Sequence, residues 1–430
     1  MRSNPLRWLV LAGAIHITLT VAIFLVGHFQ LLPNVFDPNG TGLSFAIDGE
    51  SYRKHASQLA TEWQTNGFSA WLAYKGPLHC RLYSILFATI GSLLGHNILA
   101  AEPLNLFYYL GILSCVYFLG RELFNARAAM FAATIVAVWP SFLLHSTQLI
   151  RDSLAILCLL ALLFVLVLLL RRELSSRVAG VAAVAGAALV TLFWLIRGNM
   201  WIVVVFAVGI TIVLLLGRMV YADKFLTLNA SAIVVVLLTM LLVPSRLEST
   251  TLPGVRPPVT PLAIPPSGQL SSTDGVFARV LKHVGHRRAG FGAYQARESN
   301  IDSDVQLTTT RDVMRYIPRA TAIGFFAPFP RMWVQRGTSG LAGRLLSGAE
   351  TFLMYFLYVA VAVCVWRNRQ RIEMWLLFLV ATMGTIGLGL VVMNAGALFR
   401  LRYAFWIMFI IMAAETLVHF TILRTSATKS

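Results

Sequence analysis

The stretch Arg151-Asp-Ser-Leu-Ala-Ile-Leu-Cys-Leu-Leu-Ala-Leu-Leu-Phe-Val-Leu-Val-Leu-Leu-Leu-Arg-Arg172 decides the fold. Between its ionisable ends, Ser153–Leu170 is uncharged and almost wholly apolar. As a helix rising 1.5 Å per residue, such a run covers most of the ~30 Å hydrocarbon core of a bilayer. Backbone in lipid must bond to itself, so only helices and closed barrels cross. A barrel strand would alternate apolar and polar residues, and this run does not.

Working outward, similar runs recur at roughly 8–32, 99–119, 129–149, 178–196, 199–217 and 225–243, and again at 350–366, 374–393 and 403–423. The reading is an all-α integral membrane protein of about ten transmembrane helices, with juxtamembrane helices on its outer face. Composition agrees. The chain is 57% hydrophobic and 12% charged, against about 45–50% and about 25% in soluble domains. That excludes a water-soluble globule, a disordered chain and a secreted disulfide scaffold. Cys80, Cys115, Cys158 and Cys364 form no CxxC and read as small buried hydrophobes.

Net charge is +17, from 35 Lys and Arg against 18 Asp and Glu. In a membrane protein such an excess belongs to cytoplasmic loops and anionic lipid, and nucleic acid is not implied. With the N-terminus inside, the inner loops carry Arg121 and Arg127, then Arg171, Arg172 and Arg177, then Arg218 and Lys224, then Arg367, Arg369 and Arg371, and last Arg424 and Lys429. This pattern holds only if 79–94 stays on the outer face as a juxtamembrane helix. The chain then divides into a transmembrane module over 1–243, with its first outer loop at 33–98, an outer region over 244–349, and C-terminal helices over 350–430. Within the outer region, the six prolines of Pro253–Pro266 read as an extended connector. Gly324-Phe-Phe-Ala-Pro-Phe-Pro-Arg-Met-Trp333 reads as an interfacial or reentrant element.

Four outer-face clusters can carry chemistry. Asp48-Gly-Glu-Ser-Tyr52 places two carboxylates just beyond the first helix, where partial desolvation favours a general base. The same residues also suit a solvated turn in which Glu50-Ser51 caps a helix over 52–65. Arg151-Asp152 is either a site at membrane depth or a local ion pair in a hairpin turn. Arg197-Gly-Asn199 forms a tight outer turn, and Asn394 to Arg402 carries Arg400 and Arg402. Lys75 and Arg81 flank Gly76-Pro77 on the same face. Guanidinium groups match phosphate, and as a set these cations point to an anionic ligand. His283 and His286 have metal-pair spacing, but Arg287 and Arg288 beside them disfavour a cation, and no metal site is assigned. Gly180 to Ala188 is rich in small residues and reads as close helix packing.

Taken together, these motifs resemble the GT-C superfamily of glycosyltransferases. They resemble most the bacterial group related to protein O-mannosyltransferases and the lipid A aminoarabinose transferase. The resemblance rests on Asp48-Gly-Glu-Ser-Tyr52, on Lys75-Gly-Pro-Leu78 leading into a helix that ends at Gly91 or Gly95, on Gly120-Arg-Glu-Leu-Phe124, on Trp139-Pro140, and on Arg151-Asp152 as the second-loop acidic position. Asn394-Ala-Gly…Arg400-Leu-Arg402 is also similar. It covers about 45–170 well and 244–345 only loosely. Gly49 stands where many relatives have a second acidic residue, which leaves Asp48 and Glu50 both open as the working carboxylate, with Asp48 favoured.

The resemblance implies a periplasmic-face enzyme of the bacterial inner membrane, both termini cytoplasmic. Its donor would be a polyprenyl-phosphate sugar and its acceptor a hydroxyl of a glycan, lipid or protein. No cofactor is implied beyond that substrate, and metal dependence is left open. Asp48, or Glu50, would take the acceptor proton, with inversion at the sugar. Lys75, Arg400 and Arg402, with Arg197, would steady charge on the departing phosphate. Tyr52, Arg151 and Asp152 would help bind substrate. An O-antigen-type polymerase or ligase and a non-catalytic carrier of lipid-linked sugar are the competing expectations.

Overall fold

The computed structural model describes residues 5–32, 35–37, 42–43, 47–74, 76–221, 226–247, 284–285, 287–291, 299–334 and 340–427. These form helices α1 (Pro5–His28), α2 (Ile47–Ala73), α3 (Leu78–Leu94), α4 (Ile98–Leu123), α5 (Ala126–Ala137), α6 (Pro140–Ser146), α7 (Asp152–Arg171), α8 (Ser176–Arg197), α9 (Trp201–Tyr221) and α10 (Thr227–Arg246). They are followed by α11 (Thr310–Phe326), α12 (Pro330–Trp333), α13 (Gly340–Arg367), α14 (Ile372–Val391), α15 (Ala395–Leu401) and α16 (Tyr403–Ala427). A two-residue hairpin pairs β1 (Phe36–Asp37) with β2 (Gly42–Leu43).

Among the described residues, eight helical segments are long and apolar enough to cross a membrane, or up to nine if the bent pair α5–α6 is one span. The protein is a multi-pass, all-α membrane protein. Large apolar side chains stay exposed along these helices, Val184 at 71% and Val213 at 64% among them. A soluble protein would hide such a band, and lipid accepts it.

The chain forms two compact units. Unit 1 holds Met1–Leu252, Leu357–Val380 and Ile407–Ser430, and unit 2 holds Pro253–Phe356 and Ala381–Trp406.

Local chemistry sets the helix ends of unit 1. Asn97 caps α4 by accepting from the Leu99 and Ala100 amides, and Asn125 caps α5 through Arg127 and Ala128. Gly95, at φ +81°, closes α3 in the left-handed region. The expected single helix over 129–149 is two helices bent by 68°. Pro140 has no amide to donate, and it holds Trp139 extended at ψ 111°. The expected cap at Glu50-Ser51 is also corrected. The helix begins at Ile47, so Asp48 and Glu50 lie inside its first turn, where carboxylates suit the helix dipole. It runs on to Ala73 through a break at Gly67, φ +84°.

The segment Ser176–Tyr221 is 46 residues long. As one straight helix it would measure about 69 Å, more than twice a bilayer core. It breaks at Arg197, whose φ −147° and ψ 51° are not helical. Arg197 meets Asp152 at the start of α7, while Arg218 donates to the Leu170 carbonyl at its end. The helices α8 and α9 therefore run in opposite directions beside α7. The small face of α8 meets α10, where a Cβ on Gly186 would lie 2.6 Å from Val236. That is the close packing its composition predicts.

Charges gather at the Arg171 end of α7. Arg172 forks onto Glu122 at 2.8 and 2.7 Å, Arg171 lies between Glu122 and Glu373, and Arg371 donates to the Leu123 carbonyl at 2.8 Å. Arginines assigned to three separate inner loops by the charge pattern, Arg171 with Arg172, Arg218 and Arg371, thus meet at one end of unit 1.

In unit 2, Arg288 is buried and donates to the carbonyls of Asp302 and Leu390 and to the Tyr316 hydroxyl, at 2.8, 3.1 and 3.0 Å. Backbones come close where Gly324 abuts the Thr385 carbonyl and Gly389 the Ala320 carbonyl. Pro253–Pro266, His283 and His286 lie outside the described residues. Helix α11 ends at Phe326, and the turn of α12 follows it, across the aromatic, proline-broken stretch.

Candidate functional site

The site is built at the Asp152 end of α7, opposite the charge cluster. Arg197, last residue of α8, donates to the Asp152 carboxylate, and the two side chains are 7% and 6% exposed. A buried guanidinium and carboxylate must pair, since either one left alone in this setting is costly. Arg151, half-buried, precedes them.

His79, in the first turn of α3, faces this pair electrostatically. Burial, with the positive charge of Arg151 and then Arg197, lowers its pKa to about 3 against the opposing pull of Asp152. Its ring meets the edge of Tyr52 from α2 at 4.4 Å between centroids. Tyr52 is itself buried. Asp48 lies four residues earlier, one helical turn along the same face, and is half-buried. Glu50 points elsewhere. It is exposed and pairs with Lys54 at 2.6 Å, an ordinary i,i+4 surface contact.

A polar scaffold holds the α6–α7 connection beneath these groups. Tyr83 donates to Asn105 Oδ1 at 2.7 Å, Asn105 donates to the Thr147 carbonyl at 3.0 Å, and the Tyr83 hydroxyl is 3.3 Å from the Ile150 carbonyl. Gln148 Oε1 accepts from the Leu43 amide at 2.8 Å, tying the β-hairpin to the same loop. Gly42, at φ +94°, sits against Gln148, and any side chain there would collide with it.

Of the residues singled out in the sequence, Tyr52, Arg151, Asp152 and Arg197 come together around His79, with Asp48 one turn away. Lys75 lies outside the described residues. Arg400 and Arg402 belong to unit 2. There Arg402 is fully buried, donates to the Gly324 carbonyl at 2.9 Å, and lies 4.6 Å over the Trp406 ring. His79, Tyr83, Asn105 and Gln148 carried no sequence signal as site residues. Each is a polar residue within or beside an apolar segment, and its partners lie in distant segments.

Deep in unit 1 lies a second polar group. His16 Nδ1 is 2.8 Å from Glu102 Oε1, and His16 Nε2 is 3.0 Å from Ser146 Oγ. Thr20 donates to Glu102 Oε2 at 2.7 Å, and Tyr109 stacks on the imidazole. Among the described residues, no three His, Cys, Asp or Glu are grouped as for a metal ion.

No family model and no curated protein matches the chain.

Proposed function

We propose that this chain is a GT-C-type membrane glycosyltransferase that moves a sugar from a polyprenyl-phosphate donor to an acceptor hydroxyl. The reading takes ten crossings, with α5–α6 as one and α8 and α9 as two. It sets the Arg171 end of α7 in the cytoplasm of a bacterial cell and the Asp152 end at the periplasmic face of the inner membrane.

The observation that carries it is the placement of a half-buried Asp48 one turn before Tyr52, whose ring meets His79 beside Arg151, Asp152 and Arg197. In this mechanism Asp48 accepts the hydroxyl proton as the acceptor oxygen bonds to the anomeric carbon. The bond from that carbon to the phosphate oxygen breaks, its electron pair leaves with the lipid phosphate, and configuration inverts. Arg151 and Arg197 supply positive charge for the departing phosphate, and Lys75 is assigned the same role from the sequence alone. Glu50, exposed and paired, is not the base in this reading.

The test is turnover. Purified protein in lipid is given radiolabelled polyprenyl-phosphate sugars and a membrane extract as acceptor. Release of free polyprenyl phosphate by wild type, and its loss in Asp48→Asn, is the expected result. Equal release by both would discard Asp48.

One observation favours a second reading, a carrier for lipid-linked sugar. His16 and Glu102 place ionisable groups beyond the terminal turns of helices whose other charged residues, Arg7, Arg121 and Glu122, stand at the ends, as a substrate path through the membrane would require. Binding and transbilayer movement of donor without release of polyprenyl phosphate would select the carrier.

A further inference from the structure

His79 is 2% exposed, and among the described residues neither of its ring nitrogens has a hydrogen-bond partner. The contrast within unit 1 is direct, since the equally buried His16 uses both nitrogens, on Glu102 and on Ser146. Buried imidazole nitrogens that bond to nothing lose their hydration for no return. Here they do so beside Tyr52, Arg151, Asp152 and Arg197, at the end of unit 1 where the donor is proposed to bind.

We infer that His79 is the hydrogen-bonding residue of a subsite for a hydroxyl-bearing ring, the sugar of the lipid-linked donor, within the cluster it forms with Tyr52, Arg151, Asp152 and Arg197. The inference rests on the lipid-linked-donor reading above.

The chemistry of the ring selects this ligand. Burial and the charges of Arg151 and Arg197, with a smaller push from His55, keep the imidazole neutral at pH 7 against the pull of Asp152. A neutral imidazole offers one N–H donor and one lone pair. A hydroxyl both donates and accepts, so sugar hydroxyls satisfy either nitrogen. A phosphodiester only accepts, and would leave the lone-pair nitrogen as it stands. A metal cation would have to sit among guanidinium groups. The division of labour is that arginines take the phosphate and His79 takes the sugar.

The test measures equilibrium binding to the full chain in nanodiscs, comparing bare polyprenyl phosphate with a panel of polyprenyl-phosphate hexoses and pentoses. His79→Leu is expected to weaken the preferred sugar-bearing lipid by about tenfold, the effect of losing one or two hydrogen bonds. Binding of bare polyprenyl phosphate should not change. His79→Gln, which keeps one donor and one acceptor, should restore most of the loss. If His79→Leu does not fold, His79→Phe carries the same comparison. Unchanged affinity for both lipids overturns the inference, because the ring then holds only water. Equal weakening of both also overturns it, because His79 then serves the phosphate. Wild type that binds bare lipid as tightly as every sugar-bearing lipid removes the sugar subsite. Wild type that binds neither removes the lipid-linked donor itself.

Discussion

Arg197 closes onto Asp152 at one end of α7, and both side chains are nearly inaccessible to solvent. Removing one member of such a pair leaves an uncompensated buried charge, which costs about 3–5 kcal/mol. Arg197→Met and Asp152→Leu should each lower the unfolding midpoint sharply, and the double variant should be more stable than either single. Thermal unfolding in detergent reads this. Additive losses in the double variant would show that the pair does not act as a pair.

The two carboxylates in the first turn of α2 should separate cleanly. Glu50 touches Lys54 on an exposed surface, and such a contact contributes at most about 0.5 kcal/mol. Glu50→Gln should leave donor turnover within about twofold. Asp48→Asn should cut it by about a hundredfold or more, the usual range for loss of a general base. A deeper loss in Glu50→Gln than in Asp48→Asn would exchange their roles.

Unit 2 should weaken in acid. Arg319 forks onto Asp302 at 2.8 and 2.9 Å and the Tyr316 hydroxyl donates to it at 3.0 Å, so the carboxyl is held below its ordinary range. A group with a depressed folded pKa stabilises above its unfolded value of about 4 and loses that contribution as pH falls towards the folded pKa. Hydrogen exchange along α11 should therefore speed up as pH drops below about 4, after correction for intrinsic rates. In Asp302→Asn the same segment should open more readily at neutral pH and respond less to acid. An identical pH response in both proteins counts against this role for Asp302.

In the proposed topology, the reversal at Arg197 places the two ends of α8 on opposite sides of the membrane, Asn199 outside and Ser175 inside. Asn199 and Ser175 are both exposed. Asn199→Cys should react with an impermeant maleimide added to whole spheroplasts, and Ser175→Cys only after lysis. The wild-type cysteines, which are buried or half-buried, provide the background. Labelling of both before lysis would refute the antiparallel placement in the membrane.

How far the sequence reveals this molecule depends on the range of the interaction involved. The span over Ser153–Leu170 is legible because its signal is local, an unbroken apolar run between charges. The bend at Trp139-Pro140 was also local, yet apolar residues on both sides hid it, and the stretch reads as one helix. Asp152 and Arg197 each stand out as charges at the ends of apolar runs. Their pairing does not, because it needs α7 and α8 side by side. His79 and Gln148 are quieter still. A lone polar residue in or beside an apolar helix has no pattern, and only the packing of α2 and α3 and the reach of the β-hairpin give each its setting.

The contact of His16 with Glu102 has a consequence for biogenesis. A carboxylate entering the bilayer near the start of α4 meets an insertion penalty of at most about 2.5–3.5 kcal/mol, the cost of a charge at a helix centre. Translation proceeds from the N-terminus, so α1 and its imidazole are already in place when α4 leaves the ribosome. The first helix thus serves as a docking partner for a later one that lipid alone would receive poorly. In a glycosylation-mapping assay, His16→Leu should lower the inserted fraction of α4, and adding Glu102→Gln should restore it. Equal insertion in all three chains would leave α4 self-sufficient, whereas rescue would make the order of synthesis part of the fold's specification.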